Sequence, residues 1–171
     1  PPPAAASIEK LEALEEWTRS LSGKLTVGQS LRSALIKSLQ SVPAPIEVRG
    51  PWSLRFPPNW GAPAEVTLDK LISWTDHPDP GIRYFSGTAE YQIDLEIPNE
   101  LLGDGKALSL DLRDVKCIAE VRLNGHDLGI WWNTPFAMDI SSIAVSGKNT
   151  LRVRVTNLWV NRLIGDEQLP E

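Results

Sequence analysis

Three stretches of this 171-residue chain carry side chains whose types and spacing could do chemistry. The first is Trp131-Trp132-Asn133. A pyranose is recognised by an aromatic face on which its apolar side stacks and by planar polar groups at the rim that satisfy its hydroxyls. Two indoles and an amide at a strand end leading into Pro135 therefore form a candidate saccharide platform. Adjacent strand residues point to opposite faces, so at most one of the two indoles can enter a core while the other faces outward. The second stretch holds Trp74, Asp76, His77, Asp79 and Arg83 in a loop broken by Pro78, Pro80 and Gly81. Binding side chains concentrate on loops set on rigid scaffolds, which makes this a second candidate carbohydrate-binding stretch. Asp76 and Asp79 flank His77 in the manner of an acid and base pair, and glycosidases use two carboxyl groups at set separations. Asp beside Pro is also ordinary turn chemistry, so no catalytic residue is assigned. The same two carboxylates could donate to a structural calcium ion, but a full shell takes six to eight oxygens and no loop has that spacing; no metal ligand is assigned. The third stretch, Asn157, Trp159, Asn161 and Arg162, follows the last strong strand pattern. Trp and Arg are typical interface anchors, so it reads as an inter-domain contact surface.

Composition narrows what these residues can serve. Seventeen Lys and Arg against 22 Asp and Glu give a net charge of −5, with 42% apolar residues and seven Trp. The size fits one ordinary core with a small appendage. No basic cluster of the kind that reads phosphates is present, which argues against a nucleic-acid partner. No run approaches the roughly 18 apolar residues of a membrane helix, which argues against a membrane partner. Cys117, His77 and His126 are the only Cys and His residues, too few for a disulfide framework or a Cys/His zinc cage. Pro1 to Ala6 lack the basic and apolar segments of a signal peptide and read as linker.

The elements that must position the candidates fall into two parts. In residues 1–42, Ile8, Leu11, Leu14, Trp17 and Leu21 recur at three or four residues after a Ser7 cap. Val27, Leu31, Leu35 and Leu39 recur every four after a Thr26/Gln29 capping box, and the two stripes predict an α-helical hairpin that packs rather than binds a membrane. Pro43 and Pro45 mark the change of period. Residues 43–171 show short alternating segments between Gly, Pro, Asn and Asp, the pattern of a β-sandwich or barrel. Strands are expected at 46–49, 52–56, 64–68, 84–97, 107–112, 117–123, 127–131, 136–140 and 150–157. Asn124-Gly125 is a strong signal for a tight hairpin turn, since a primed turn needs positive φ at both central positions. Residues 1–42 carry five basic and four acidic side chains, and the remainder twelve and eighteen. An acidic surface with aromatics suits neutral polar ligands such as sugars. Trp52, Trp60, Tyr91 and Phe136 read as core or edge packing, Cys117 as an inert buried thiol, and His126 as a solvated hairpin side chain.

Two sets of motifs resemble known families. Val121-Arg122-Leu123-Asn124-Gly125-His126-Asp127-Leu128-Gly129, then Pro135-Phe136, then Gly147-Lys148-Asn149-Thr150-Leu151-Arg152-Val153-Arg154-Val155, is similar to the sugar-binding jelly roll of family-2 glycoside hydrolases. The segments Ser73 to Ala89 and Thr156 to Gln168 resemble the C-terminal β-sandwich of family-106 α-L-rhamnosidases. This resemblance covers roughly residues 45–171. It implies a mainly β, galactose-binding-domain-like jelly roll in an enzyme that acts on a plant or algal polysaccharide, in a secreted or periplasmic setting. It also implies that the catalytic carboxylates stand on a separate barrel of about 250 residues, the catalytic domain of the parent enzyme. The expectation is thus a non-catalytic, cofactor-free carbohydrate-binding module, with a structural accessory domain that braces the barrel as the alternative.

Overall fold

The computed structural model describes residues 36–37, 45–103 and 105–168. The chain divides into two compact units, residues 1–47 and 48–171. The expected helical hairpin falls outside the described residues apart from Ile36 and Lys37, which are helical.

The second unit is built from eight strands: β1 (Trp52–Arg55), β2 (Glu65–Leu68), β3 (Thr88–Ile97), β4 (Ser109–Asp111), β5 (Ile118–Leu123), β6 (His126–Trp131), β7 (Ala137–Asp139) and β8 (Gly147–Thr156). Two short helices, α1 (Pro80–Arg83) and α2 (Val160–Glu167), accompany them. β2-β1-β3-β8-β5-β6 form one sheet, β4 and β7 a second, and every pairing is antiparallel. The expected β-sandwich is therefore present. Its core lies where alternation places it: Leu54, Ala89, Tyr91, Ile93, Ala119, Val121, Leu123, Leu151 and Val153 fill the inner face of the large sheet. Phe136 and Ile140 flank β7, and Leu110 and Met138 from the small sheet pack against that face.

The outward residues of the large sheet form a charge ladder. In register across five strands stand Glu65, Arg55, Glu90, Arg154 and Glu120. Arg55 Nε lies 3.4 Å from Glu65 Oε2 and Arg154 Nη1 2.6 Å from Glu120 Oε2. Opposite charges side by side on a pleated face support this register, though each exposed pair contributes only about 0–1 kcal/mol.

Two asparagines lock the hairpin end. Asn124 and Gly125 have φ of 52° and 83°, the positive values a primed turn requires. The Asn124 side chain accepts from the Thr150 N–H at 2.9 Å and donates to Asn149 Oδ1 at 2.8 Å. Asn149, fully buried, also accepts from the Val145 N–H and donates to the carbonyls of Val145 and Gly147. Both amides are thus spent on backbone and on each other, which satisfies buried polar groups that would otherwise destabilise the core.

Several boundaries differ from the sequence reading. Residues 46–49 form no strand. The expected strand 84–97 starts only at Thr88, because Asp79 and Pro80 initiate a helical turn and Gly87 bends the chain at φ 143°. The last long strand begins three residues early, at Gly147, where it pairs with Ile97.

Candidate functional site

The loop from Ser73 to Arg83 is held by the side chains first considered for binding. Asp79 caps α1, its Oδ1 accepting from the Gly81 N–H at 2.7 Å. His77 Nδ1 accepts from the Asp79 N–H at 3.1 Å, and Arg83 Nε donates to the His77 carbonyl at 3.0 Å. These three side chains therefore shape the loop. Asp76 is exposed in the 3₁₀ turn Trp74–Asp76. Among the described residues no three His, Cys, Asp or Glu side chains gather where they could hold a metal ion.

Two indoles proposed as sugar platforms lie in the core. Trp74 is 8% exposed, stacks on Tyr91 at 6.4 Å and donates from Nε1 to the Tyr91 hydroxyl at 2.6 Å. Trp131 is also 8% exposed and donates to the Leu128 carbonyl. Neither offers a ring face, because the inner side of the sheet claims both. Trp132, one residue on, is 70% exposed beside exposed Asn133. Sequence alternation allowed at most one of this pair a place in the core, and the structure gives it to Trp131.

The aromatic core ends at the surface. Trp52 meets Tyr91 edge to face, Trp74 meets Phe56 and Phe85, and Phe85 meets Trp60 at 6.4 Å. Trp60 was expected to be packed away, yet it is 57% exposed, since it sits in the turn-rich run Pro57-Pro58-Asn59-Trp60-Gly61 rather than on a strand. Cys117 is half-buried rather than buried and has φ 85°, a loop position ahead of β5.

The segment after β8 is organised differently from an ordinary surface helix. Asn157 turns inward: its Oδ1 accepts from the Gly87 N–H and its Nδ2 donates to the Phe85 carbonyl, both at 2.8 Å. Asn157 thus acts as a staple within the module. α2 then rests on Tyr84–Gly87 through small and polar groups. Ser86 Oγ donates to the Leu158 carbonyl and accepts from the Arg162 N–H, and the Tyr84 hydroxyl donates to Gln168 Oε1 at 2.6 Å. Gly165 lies so close that a Cβ there would stand 2.7 Å from Tyr84 Cβ. Asn161 and Gly165 are half-buried, whereas Trp159 (76% exposed), Val160, Leu163 and Ile164 are exposed, and Leu158, Trp159, Val160 and Leu163 line an apolar hollow. An amphipathic helix normally buries its apolar stripe; α2 turns its stripe outward. Leu158, Val160, Leu163 and Ile164 escaped the sequence reading, although the 159/163 and 160/164 pairs have the four-residue spacing that could have revealed them.

The strand order, the hairpin lock and the segment 73–89 coincide with a known domain type. Residues 75–170 match the family described as glycosyl hydrolase 2 galactose-binding domain-like. The chain belongs to this family. It is 41% identical over 155 residues to a Formosa agariphila protein named "Putative beta-glucuronidase", covering 91% of this chain and 13% of that protein. The rhamnosidase from Novosphingobium sp. PP1Y superposes with a TM-score of 0.70 at 40% identity, over 75% of this chain and 12% of that one. A Ruminococcus gnavus beta-glucuronidase shares the fold, with a TM-score of 0.53 and 24% identity over 64% of this chain and 20% of its own. This galactose-binding-like domain therefore corresponds to a small part of much longer glycoside hydrolases.

Proposed function

We propose that the galactose-binding-like domain is a non-catalytic accessory module of a polysaccharide-degrading glycoside hydrolase of the family-106 α-L-rhamnosidase type, and that α2 docks it onto the rest of that enzyme. The observation that carries this reading is the outward apolar stripe of α2, with Trp159 at its start. Exposed contiguous apolar surface of this kind marks an interaction site, and Trp is the residue most enriched at interface hot spots. The 40% identity to a rhamnosidase supports the type of parent enzyme, and a plant or algal polysaccharide as its substrate is part of the same proposal. Catalysis then belongs to residues outside the module.

The test is reconstitution. Mixed with the separately expressed remainder of the parent enzyme, the chain should co-elute with it as a 1:1 complex. Combining Trp159→Ala with Leu163→Asp should weaken that complex by about 100-fold or more, the scale of losing one or two hot spots. Arg122→Ala on the outer sheet face should leave it unchanged. An affinity indifferent to the α2 substitutions refutes the docking reading.

One observation favours a second reading, carbohydrate binding by the module itself. Trp132 holds an open indole next to Asn133 at the end of β6, a strand at the sheet edge. Loss of glycan-induced fluorescence change in Trp132→Ala would support it, and an unchanged titration would exclude that platform.

A further inference from the structure

We propose that Trp60, Arg162 and Asp166 form a stacking site for a neutral pyranose ring, separate from both Trp132 and the apolar stripe of α2. The Trp60 indole has a fixed backing. It lies over Gly87, where a Cβ would stand 3.1 Å from Trp60 Cζ3, and it meets Phe85 behind it. Gly87 has φ 143°, a conformation open to glycine, so its missing side chain is what lets the ring come this close to the backbone. Phe85 is in turn locked against Phe56 at 4.8 Å and Trp74 at 5.5 Å. Part of the ring is therefore backed by Gly87 and Phe85 while more than half of the residue remains exposed. A rigid aromatic plate with an open side binds at low ordering cost, as a sugar platform must.

Arg162 reaches the backbone next to Trp60. The position a Cβ would take at Gly61, next to Trp60 in the chain, is 3.8 Å from Arg162 Nη1. Arg162 Nε pairs with Asp166 Oδ1 at 2.8 Å, one helical turn along α2. The ion pair beside Gly61 thus offers guanidinium donors and carboxylate acceptors with no net charge. Sugar hydroxyls both donate and accept, so they match this pair, whereas the carboxylate of a uronic acid would gain from Arg162 what it loses to Asp166 and so hold no advantage. A protein partner is less suited, because the ion pair would lose its water under a broad interface. The site does not depend on the docking reading of α2.

Indole N–H resonances of the full ¹⁵N-labelled chain test this directly, each assigned by a Trp→Phe variant. Titration with methyl α-L-rhamnopyranoside or methyl β-D-galactopyranoside should move the Trp60 resonance with a dissociation constant on the order of 1–10 mM, the range for one small ring. Trp60→Ala should abolish the binding isotherm, followed by isothermal titration. Arg162→Gln should weaken binding about tenfold, a loss of roughly 1.4 kcal/mol. Methyl β-D-glucuronide should bind no more tightly than the neutral glycosides, and Asp166→Asn should shift the comparison in its favour. A Trp60 resonance that stays fixed up to about 50 mM of every neutral glycoside overturns the proposal. So does movement confined to the Trp132 resonance, or a preference for the glucuronide.

Discussion

Tyr91 and Trp74 show how one hydrogen bond can set the properties of a core. The Trp74 N–H has the Tyr91 hydroxyl as its partner inside a packed aromatic cluster. Tyr91→Phe keeps the ring but leaves that donor buried and unpaired, which should cost about 1–3 kcal/mol as a lower urea midpoint. Burial pushes the Tyr91 hydroxyl above its ordinary value of 10.0, with the Trp74 hydrogen bond opposing it weakly. Since the phenolate is disfavoured in the fold, this group's contribution to stability is intact below 10.0 and is lost as pH rises through its raised value. Tyr91→Phe should therefore flatten the alkaline limb of a stability-against-pH curve. At this scale the sequence was most legible where a residue serves the backbone: Asn124 and Asn149 belong to recognisable motifs, and the structure gives both of them turn-locking bonds. It was least legible for the indoles. Trp74 and Trp60 both lie in turn-rich loops, and only the fold decides that one is roofed by Tyr91 and Phe85 while the other overhangs Gly87.

Among the elements, α2 is the one whose orientation matters most. Gly165 lets its backbone approach Tyr84, and the approach leaves Trp159 and Leu163 facing out. By intrinsic propensity Gly165→Ala should favour the helix by about 1 kcal/mol. Here the added methyl would press on the Tyr84 ring, so the helix should instead lift, and the amide of Leu163, bonded to the Trp159 carbonyl, should exchange faster with solvent. Slower exchange would show that α2 is not seated by this contact. The strands were readable because period-two alternation in 91–97 and 151–156 reports a half-buried sheet directly. The short elements were not. Four residues of α1 and three of the 3₁₀ turn at Trp74 are below the length at which periodicity speaks, and only the Asp79-Pro80 pair hints at a helix start.

For the whole module, the surface charges set its response to acid. Asp94 is held below its ordinary value by the Thr150 hydroxyl and by Lys148, Asp139 by the Ser141 hydroxyl and N–H, and Glu65 by the Ser53 hydroxyl and by Arg55. Depressed carboxylates stabilise the fold above their ordinary values of 3.8 and 4.5, and this is lost as pH falls through the lower folded values. The melting temperature should hold down to the ordinary carboxylate range and fall below it. Asp94→Asn should soften that fall, which a thermal scan at each pH would measure; an identical acid limb in the variant would show that Asp94 is not a contributor.

The ladder of Glu65, Arg55, Glu90, Arg154 and Glu120 has a further effect on how the module can be assembled into anything larger. A neighbour laid flat on that side would have to dehydrate a row of charges that includes the Arg55–Glu65 and Arg154–Glu120 pairs, whose ions already have partners. The broad wall of the sandwich thus acts as a non-stick panel, which accords with the docking proposed for the apolar segment α2.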